Sequence, residues 1–430
     1  MYDIFSILLG LGLTISLLLL GLHIAIAIGV GGILLLVLVE GFGSLNAIGF
    51  ILWGSLNSAT LSALPLFILM AEIMLRSGVS DSFYDGMSKL VRRIPGGLLQ
   101  TNIAASALFA AISGSSVATA SAIGGVALPR QKADGYDTAM AVGSVAAGGT
   151  LGILIPPSIV MIVYSTFTEL SVAKLFMAGL LPGVVAMAMF MAYIAIRCVI
   201  NPSLAPKLQA AERGDTVRGL REVAPMVGLM LVVLVTIYRG IATPTEAAAI
   251  GAFVAAIIAW AMRRPPLRVY VDAIVNSVVT SAAILMIVAA AFIIQYAVES
   301  TGLANALTDW VVGLGLSFTF FMLALFVIFA IMGCFIDAIG LVVLTVPLLL
   351  PILQSYGIDL VWFGVITVIV VELSLITPPV GINLFVVDSI SKAGLATVIR
   401  GVIPYFGVYS LLLTLLMIWP SIATWLPSLM

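Results

Sequence analysis

Long apolar segments, each about 20 residues in length, follow one another along almost the whole chain and are separated by short polar stretches. With 62% hydrophobic and 9% charged residues, the chain has too few charges to cover a soluble protein of 430 residues. We therefore predict an all-α polytopic membrane protein in a lipid bilayer, with no nucleic-acid partner. The predicted spans are 3–20, 22–39, 48–76, 135–168, 175–197, 222–238, 244–262, 272–298, 358–390 and 396–427.

Two more apolar stretches, 97–131 and 314–351, have a polar or glycine-rich centre, at 113–116 in the first and 333–337 in the second. We interpret each stretch as a re-entrant hairpin, which enters and leaves the membrane on the same side. Non-helical backbone at membrane depth is stable only where protein or a watery cavity satisfies it. The two tips are therefore expected to lie buried in a site.

The two halves of the chain resemble each other at a constant shift of 222 residues. This shift carries Pro156-Pro157 onto Pro378-Pro379, and it also superimposes Pro129 on Pro351 and Pro182 on Pro404. Five spans per half would make the second copy inverted relative to the first. The expected organisation is a first repeat 1–200 with hairpin 97–131, a cytoplasmic linker 201–221, and a second repeat 222–430 with hairpin 314–351.

The basic residues support one orientation in the membrane. If both termini are periplasmic, all of the 18 Lys and Arg residues except Lys174 and Arg239 lie on the cytoplasmic side. The stretches 81–93 and 299–312 then lie on opposite surfaces, and each precedes a hairpin. Their spacing of apolar and polar residues predicts amphipathic helices in the interface, although ordinary loops remain an alternative.

Paired prolines inside apolar segments predict two broken helices, whose unpaired backbone groups can replace water around a cation or bind an anionic group. The tips and breaks offer oxygen ligands, and no histidine or chain of carboxylates suits a proton relay, so Na⁺ is the expected coupling ion. No other metal and no organic cofactor is expected.

The first predicted Na⁺ site comprises Ser113, Gly114, Ser115, Ser116, Gly148, Gly149, Thr150 and Gly152, beside the break at Pro156 and Pro157. The second comprises Gly333, Cys334, Asp337, Ser374 and Thr377, beside Pro378 and Pro379. Candidate substrate contacts are Ser115, Ser158, Asp337 and Asn383.

Acidic residues inside the membrane are costly and often functional. Asp337, at a hairpin tip, is expected to contact a cation or the substrate. Glu372, just before the second break, is compatible with either a functional or a structural role. Structural roles are favoured for Glu72, paired within its own helix, and for Glu246, in a helix-capping motif with Thr243.

Five motifs in order resemble the large membrane (M) subunit, DctM-like, of tripartite ATP-independent periplasmic (TRAP) transporters. They are SGSSVATASAIGGVALP at 113–129, GILIPPS at 152–158, GIATPTEAAA at 240–249, GCFIDAIG at 333–340 and TPPVGINLFV at 377–386. The resemblance implies a Na⁺-driven importer of the ion-transporter superfamily in the bacterial inner membrane. It also implies two partners, a small four-helix membrane (Q) subunit and a periplasmic substrate-binding (P) subunit.

The same resemblance implies an elevator motion, in which a mobile unit of 97–168 plus 314–390 moves against a scaffold formed by the remainder. The solute would be a small organic acid or a zwitterion. A single-component sodium/dicarboxylate symporter of the same superfamily is the alternative, and a passive channel fits inverted repeats less well. A membrane enzyme is disfavoured because the single histidine, His23, lies at a span boundary and no nucleophile lies beside a base.

Overall fold

The computed structural model describes residues 4–206 and 214–430, and this part of the chain consists of helices and turns without a strand. The helices of the first half are α1 (Ile4–Leu19), α2 (Ile24–Glu40), α3 (Leu45–Leu56), α4 (Ala63–Arg76), α5 (Val79–Val91), α6 (Leu98–Ser113), α7 (Ser116–Ala133), α8 (Thr138–Gly149), α9 (Leu151–Leu154), α10 (Ile159–Thr168) and α11 (Val172–Ile200). Those of the second half are α12 (Asp215–Tyr238), α13 (Pro244–Arg263), α14 (Leu267–Ser300), α15 (Leu303–Gly313), α16 (Phe318–Gly333), α17 (Ala338–Ser355), α18 (Leu360–Leu375), α19 (Ile382–Ser391), α20 (Leu395–Ile418) and α21 (Ser421–Thr424).

Helix length and composition confirm the polytopic membrane fold. Within the described residues, seven helices are long and apolar enough to cross a membrane, or up to eight if the bent pair α4–α5 forms one span. The span at Thr138–Thr168 is buried along its whole apolar window, whereas most of the others expose a large part of theirs. The protein core therefore lies around the first broken helix, and the other helices surround it.

The two halves present the same order of elements. The short helix α5 precedes the helical pair α6–α7, just as α15 precedes α16–α17. A broken helix follows each pair, α8–α10 in the first half and α18–α19 in the second, and a long helix, α11 or α20, completes each series. Both breaks contain a cis Pro-Pro bond, at Pro156-Pro157 and Pro378-Pro379. From α5 and α15 onward the order of elements is thus the same in both halves, while the repeat boundaries and the inversion across a membrane stay predictions.

The prediction of one span over 48–76 was wrong, because the structure has two helices there. Helix α3 ends at Leu56 and α4 starts at Ala63. The connecting segment contains Asn57, Ser58 and Thr60, whose short polar side chains favour turns over helix interiors. The carbonyl of Ala59 in this segment accepts a hydrogen bond from the Thr245 hydroxyl at 2.7 Å. The polar turn is therefore attached to the start of α13.

The predicted linker 201–221 is shorter than expected, and its residues 207–213 lie outside the described part of the chain. Helix α12 already begins at Asp215 rather than at 222. Its first turns lie against α5. Asp215 forms an ion pair with Arg92, and Glu222 forms one with Lys89, whose Nζ lies 2.5 Å from a carboxylate oxygen. These ion pairs with a neighbouring helix explain why a polar stretch continues the helix.

Two sequence predictions about acidic residues are confirmed. Thr243 and Glu246 form a reciprocal capping box at the start of α13, in which each side chain accepts from the other residue's backbone amide. Glu72 pairs with Arg76 one turn later, at 2.6 Å. Both carboxylates thus have the structural roles expected from the sequence.

Candidate functional site

The first hairpin tip, between α6 and α7, is held by short-range hydrogen bonds. Gly114 ends α6 with a φ of +57°, which favours glycine, and Ser115 caps the start of α7 by accepting from the Ala118 amide. The Ser113 and Thr119 hydroxyls lie 2.6 Å apart, and Thr119 donates to the Ser115 carbonyl at 2.8 Å. Hydroxyl and carbonyl oxygens are thus concentrated at this tip.

This tip lies directly against the first helix break. A methyl group added at Gly152 would lie 2.6 Å from the Ser115 carbonyl oxygen, so only glycine permits the contact. On the other side of the break, the Ile159 amide donates to the Gly114 carbonyl at 3.5 Å. Ser158 caps α10, accepting from the Met161 amide at 3.3 Å. The structure therefore brings the predicted 113–116 segment together with the break.

Three other members of the first predicted site have different surroundings. Gly149 faces α7, but Gly148 faces α6, where an added methyl would lie 2.6 Å from Ser106 Oγ. The Thr150 hydroxyl lies 2.6 Å from the Tyr409 hydroxyl on α20 and donates to the Ala147 carbonyl. Any contribution of Gly148 or Thr150 to a cation site would then come from the backbone.

The second tip, between α16 and α17, lies against the second break in the same way. Gly333 is in such close contact with Ser374 that any side chain at position 333 would clash with it. Cys334 Sγ lies 3.8 Å from the carbonyl oxygen of Thr377 and 3.7 Å from that of Pro378. The Ser374 and Thr377 hydroxyls donate to carbonyls of their own helix, which leaves their oxygen lone pairs available.

Asp337 acts as the N-cap of α17. Its two carboxylate oxygens accept from the amides of Ile339 and Gly340, each at 3.3 Å. Asp337 therefore has a structural role at the start of α17. Contact with a cation or substrate stays a prediction, because a carboxylate has lone pairs beyond those two hydrogen bonds.

The two halves meet in a buried polar chain formed by Ser116, Glu372 and Asn383, all within 1% of complete burial. Asn383 Nδ2 donates to Ser116 Oγ at 2.5 Å, and Ser116 Oγ donates to Glu372 Oε2 at 2.9 Å. Ser116 belongs to the first tip, whereas Glu372 and Asn383 lie on either side of the second break. The sequence analysis had assigned Ser116 and Asn383 to different sites and had left Glu372 undecided.

A second buried polar chain was missed by sequence reasoning. Tyr84 of α5 donates to Asn102 Oδ1 on α6 at 2.7 Å, and Asn102 Nδ2 donates to Ser144 Oγ on α8 at 2.8 Å. The signal in the sequence is an asparagine within the largely apolar helix α6, which also carries Gln100, Thr101 and Ser106. This chain connects the α5 segment to the hairpin and to the broken helix.

Comparison with known proteins decides the family. Residues 11–422 match the model of the tripartite ATP-independent periplasmic transporter, DctM component. The chain belongs to the DctM family. It is 33% identical over 395 residues to the C4-dicarboxylate TRAP transporter large permease protein DctM of Pseudomonas aeruginosa, covering 92% of each chain. It is also 30% identical over 383 residues to the sialic acid TRAP transporter permease protein SiaT of Haemophilus influenzae, covering 87% of this chain and 61% of the relative.

Among solved structures, the YdaH transporter of Alcanivorax borkumensis has a similar fold, with a TM-score of 0.59 at 17% identity over 89% of this chain and 90% of that one. As a large permease subunit of the TRAP family, this chain is a membrane transport protein. It works with a small membrane subunit and a periplasmic substrate-binding protein. The resemblance seen in the sequence motifs is thereby confirmed.

Proposed function

We propose that this DctM-family chain imports an organic acid across the bacterial inner membrane, driven by a Na⁺ gradient and by an elevator motion of 97–168 plus 314–390. The observation that carries the proposal is the pair of buried tip–break contacts, at Gly152 with Ser115 and at Gly333 with Ser374, joined through Ser116 and Asn383. Both termini are placed in the periplasm, as the distribution of basic residues favours.

Sodium suits the chemistry of the tips. Hard cations prefer oxygen ligands, and the tip–break contacts supply carbonyl, hydroxyl and carboxylate oxygens. None of the ion pairs within residues 4–206 and 214–430 reaches a tip, and the basic side chain that interacts electrostatically with Asp337 at the second tip is His23. Half-helix ends at the two breaks add further partial charges.

The helix α5 supports the division into a fixed and a mobile part. It is bound to α12 by the Lys89–Glu222 pair, and its backbone crosses α12 so closely that a methyl at Gly219 would lie 2.8 Å from the Gly86 carbonyl oxygen. On the other side, Asp85 pairs with Arg130 at the end of α7, with side chains 44% and 43% exposed. An exposed pair contributes only about 0.2–1 kcal/mol, so it does not prevent motion of the hairpin.

The boundary between the second hairpin, α16–α17, and the proposed scaffold is loosely packed. An apolar cavity of about 900 Å³ lies between α16 and α17 on one side and α1, α2 and α14 on the other, and its lining includes Ile24, Ile294 and Phe329. Helices α14 and α17 are in contact elsewhere. Protein interiors are otherwise packed as densely as organic crystals. The open apolar boundary favours sliding of the mobile unit. On the α5 side, motion would have to break the exposed Asp85–Arg130 pair and the buried hydrogen bond from Tyr84 to Asn102.

The substrate class follows from the relatives, whose names specify C4-dicarboxylates and sialic acid. Both are organic acids. An acid would have to be bound by half-helix ends, hydroxyls and bound Na⁺, because none of the predicted contacts carries a positive charge. These contacts are Ser115, Ser158, Asp337 and Asn383.

The first testable prediction concerns the driving force. The permease, reconstituted with its small subunit and its binding protein loaded with labelled substrate, should take up substrate only with an inward Na⁺ gradient. Replacement of Na⁺ by K⁺ should reduce uptake to the level of empty liposomes. Uptake at an equal rate in Na⁺-free buffer with an imposed pH gradient would contradict Na⁺ coupling.

A further inference from the structure

Glu372 has no role in the two tip–break sites, yet it is one of the most deeply buried polar residues of the protein, with no exposed surface. It lies near the end of α18, and its neighbours come from three segments. Ser116 of the first tip donates to its Oε2, the Ile153 amide of α9 lies close to the carboxyl group, and Asn383 of α19 is connected to it through Ser116. The carboxyl group thus lies where both broken helices and the first tip meet.

Two oxygens of this cluster have no donor in good hydrogen-bonding geometry among the described residues, although the Ile153 amide lies close to the carboxyl group of Glu372. Glu372 Oε1 and Asn383 Oδ1 are both fully buried and make no hydrogen bond of normal length and angle within the described residues. Both atoms are pure acceptors when the carboxyl group is ionised. Because an unsatisfied buried acceptor is unfavourable, and a buried charge without a partner far more so, such groups are normally paired or bind a metal ion.

The orientation of Asn383 follows from the hydroxyl of Ser116. That hydroxyl has one proton, and Glu372 Oε2 accepts it at 2.9 Å. Ser116 Oγ can then only accept from Asn383. The Asn383 atom that lies 2.5 Å from it must therefore be the amide nitrogen, which is a donor. The amide oxygen is thereby left free together with Glu372 Oε1. The free oxygens are a consequence of the hydrogen-bond chain itself.

A basic side chain does not balance Glu372. Every salt bridge within residues 4–206 and 214–430 involves other carboxylates, namely those of Glu72, Asp85, Asp215, Glu222 and Asp272. The group of the neighbouring helix α20 that interacts electrostatically with Glu372 is Tyr409, which hydrogen-bonds to Thr150 and supplies no positive charge. When the carboxyl group is ionised, its charge has to be balanced by a bound ion.

We propose that Glu372 Oε1 and Asn383 Oδ1 bind a further Na⁺, separate from the two tip–break sites. This proposal rests on the Na⁺ coupling proposed above. The bound ion links the first tip to both halves of the second broken helix, so it stabilises the mobile unit as one body. It also neutralises the carboxylate, so the mobile unit crosses the membrane without an uncompensated charge.

Equilibrium binding of radioactive ²²Na⁺ to the purified complex of permease and small subunit tests the proposal. Glu372→Gln keeps the size of the side chain and removes its charge, whereas Glu40→Gln makes the same change at the exposed end of α2. We expect Glu372→Gln to weaken binding of one Na⁺ by about 10- to 100-fold, as loss of a charged ligand implies. The other ions should bind as in the wild type, and Glu40→Gln should bind as the wild type does.

If Glu372→Gln binds the same number of Na⁺ ions with the same affinity as the wild type, this proposal is overturned, because Glu372 is then only a neutral hydrogen-bonding group. The proposal of Na⁺ coupling is not affected by that result. A wild-type complex that binds no Na⁺ would overturn both proposals. These two results are distinguishable in the same titration.

A second measurement needs no variant and therefore does not depend on the folding of one. A hydrophobic carbodiimide reacts with carboxyl groups in apolar surroundings, and mass spectrometry locates the modified residue. Saturating Na⁺ should lower labelling of Glu372 at least about fivefold relative to K⁺, because a bound ion excludes the reagent. Labelling of Glu72, already paired with Arg76, should be the same in both salts. Equal labelling of Glu372 in Na⁺ and K⁺ would overturn the proposal.

Discussion

Replacement of Gly152 by alanine tests the first tip–break contact, because the structure leaves no space for the added methyl. Its carbon would lie 2.6 Å from the Ser115 carbonyl oxygen, 2.8 Å from the Ser115 carbonyl carbon and 2.9 Å from the Ser116 Cα. All three are backbone atoms, which cannot move aside by rotation as a flexible side chain can. The tip must therefore retreat from the break.

The magnitude follows from the cost of overpacking a close contact, which is about 1–3 kcal/mol. If the tip and the break bind Na⁺ between them, this cost falls on the ion-bound state and weakens Na⁺ binding by about 5- to 150-fold. The expected result for Gly152→Ala is therefore a large increase in the Na⁺ concentration that gives half-maximal uptake, with the protein still folded in the membrane.

The matched control is Gly125→Ala, on α7 of the same hairpin. A methyl group there would have no atom within 4 Å. Na⁺-dependent uptake by proteoliposomes is measured for both variants, and thermal unfolding in K⁺ verifies folding. A folded Gly152→Ala protein whose half-saturating Na⁺ concentration equals that of Gly125→Ala would refute the location of the first site.

Two further substitutions test the second tip and the centre. Asp337→Asn should abolish or strongly reduce uptake in the same assay while the protein stays folded, because asparagine caps a helix as well as aspartate but lacks the charge; unchanged uptake would leave Asp337 as a capping residue only. Ser116→Ala leaves the donor of Asn383 and one oxygen of Glu372 without a partner, so it should lower the unfolding free energy by about 1–3 kcal/mol and impair uptake. Ser165→Ala, which removes a hydroxyl bonded only within its own helix, should do neither; equal thermal stability of the two variants would contradict the bridging role of Ser116.

The sequence predicted the tips and breaks because their chemistry is local. Paired prolines exclude a continuous helix at 156–157 and 378–379, and small polar residues inside an apolar stretch mark a tip at 113–116. Each of these signals lies within a few residues, and the repeat provides a second copy of it. Because such local signals determine where a helix ends or breaks, the positions of the tips and breaks could be predicted from one sequence.

The contact of Ser116 with Glu372 and Asn383 could not be anticipated, because these residues are more than 250 positions apart along the chain. Spacing within a helix shows which residues share a face, but not which face of another helix it meets. The break between α3 and α4 was missed for a different reason. The apolar residues on both sides formed one acceptable span, and the four short polar side chains between them were too weak a signal to divide it.

The elevator motion is the central claim. Its most direct test compares two cysteine crosslinks, each of which joins α5 to a different helix. One joins Asp85→Cys to Arg130→Cys, between α5 and the mobile hairpin, where the native side chains form an ion pair. The control joins Lys89→Cys to Glu222→Cys, between α5 and α12, where the native groups are 2.5 Å apart. A short bifunctional thiol reagent is applied to each pair, in a chain whose other cysteines are buried.

Na⁺-driven uptake is then measured before crosslinking, after crosslinking and after cleavage of the linker. The account predicts that the 85–130 crosslink stops uptake and that cleavage restores it, because the mobile unit is held in one position. The 89–222 crosslink should leave uptake unchanged, because both residues belong to the fixed part. Full uptake with the 85–130 crosslink in place would contradict the elevator motion.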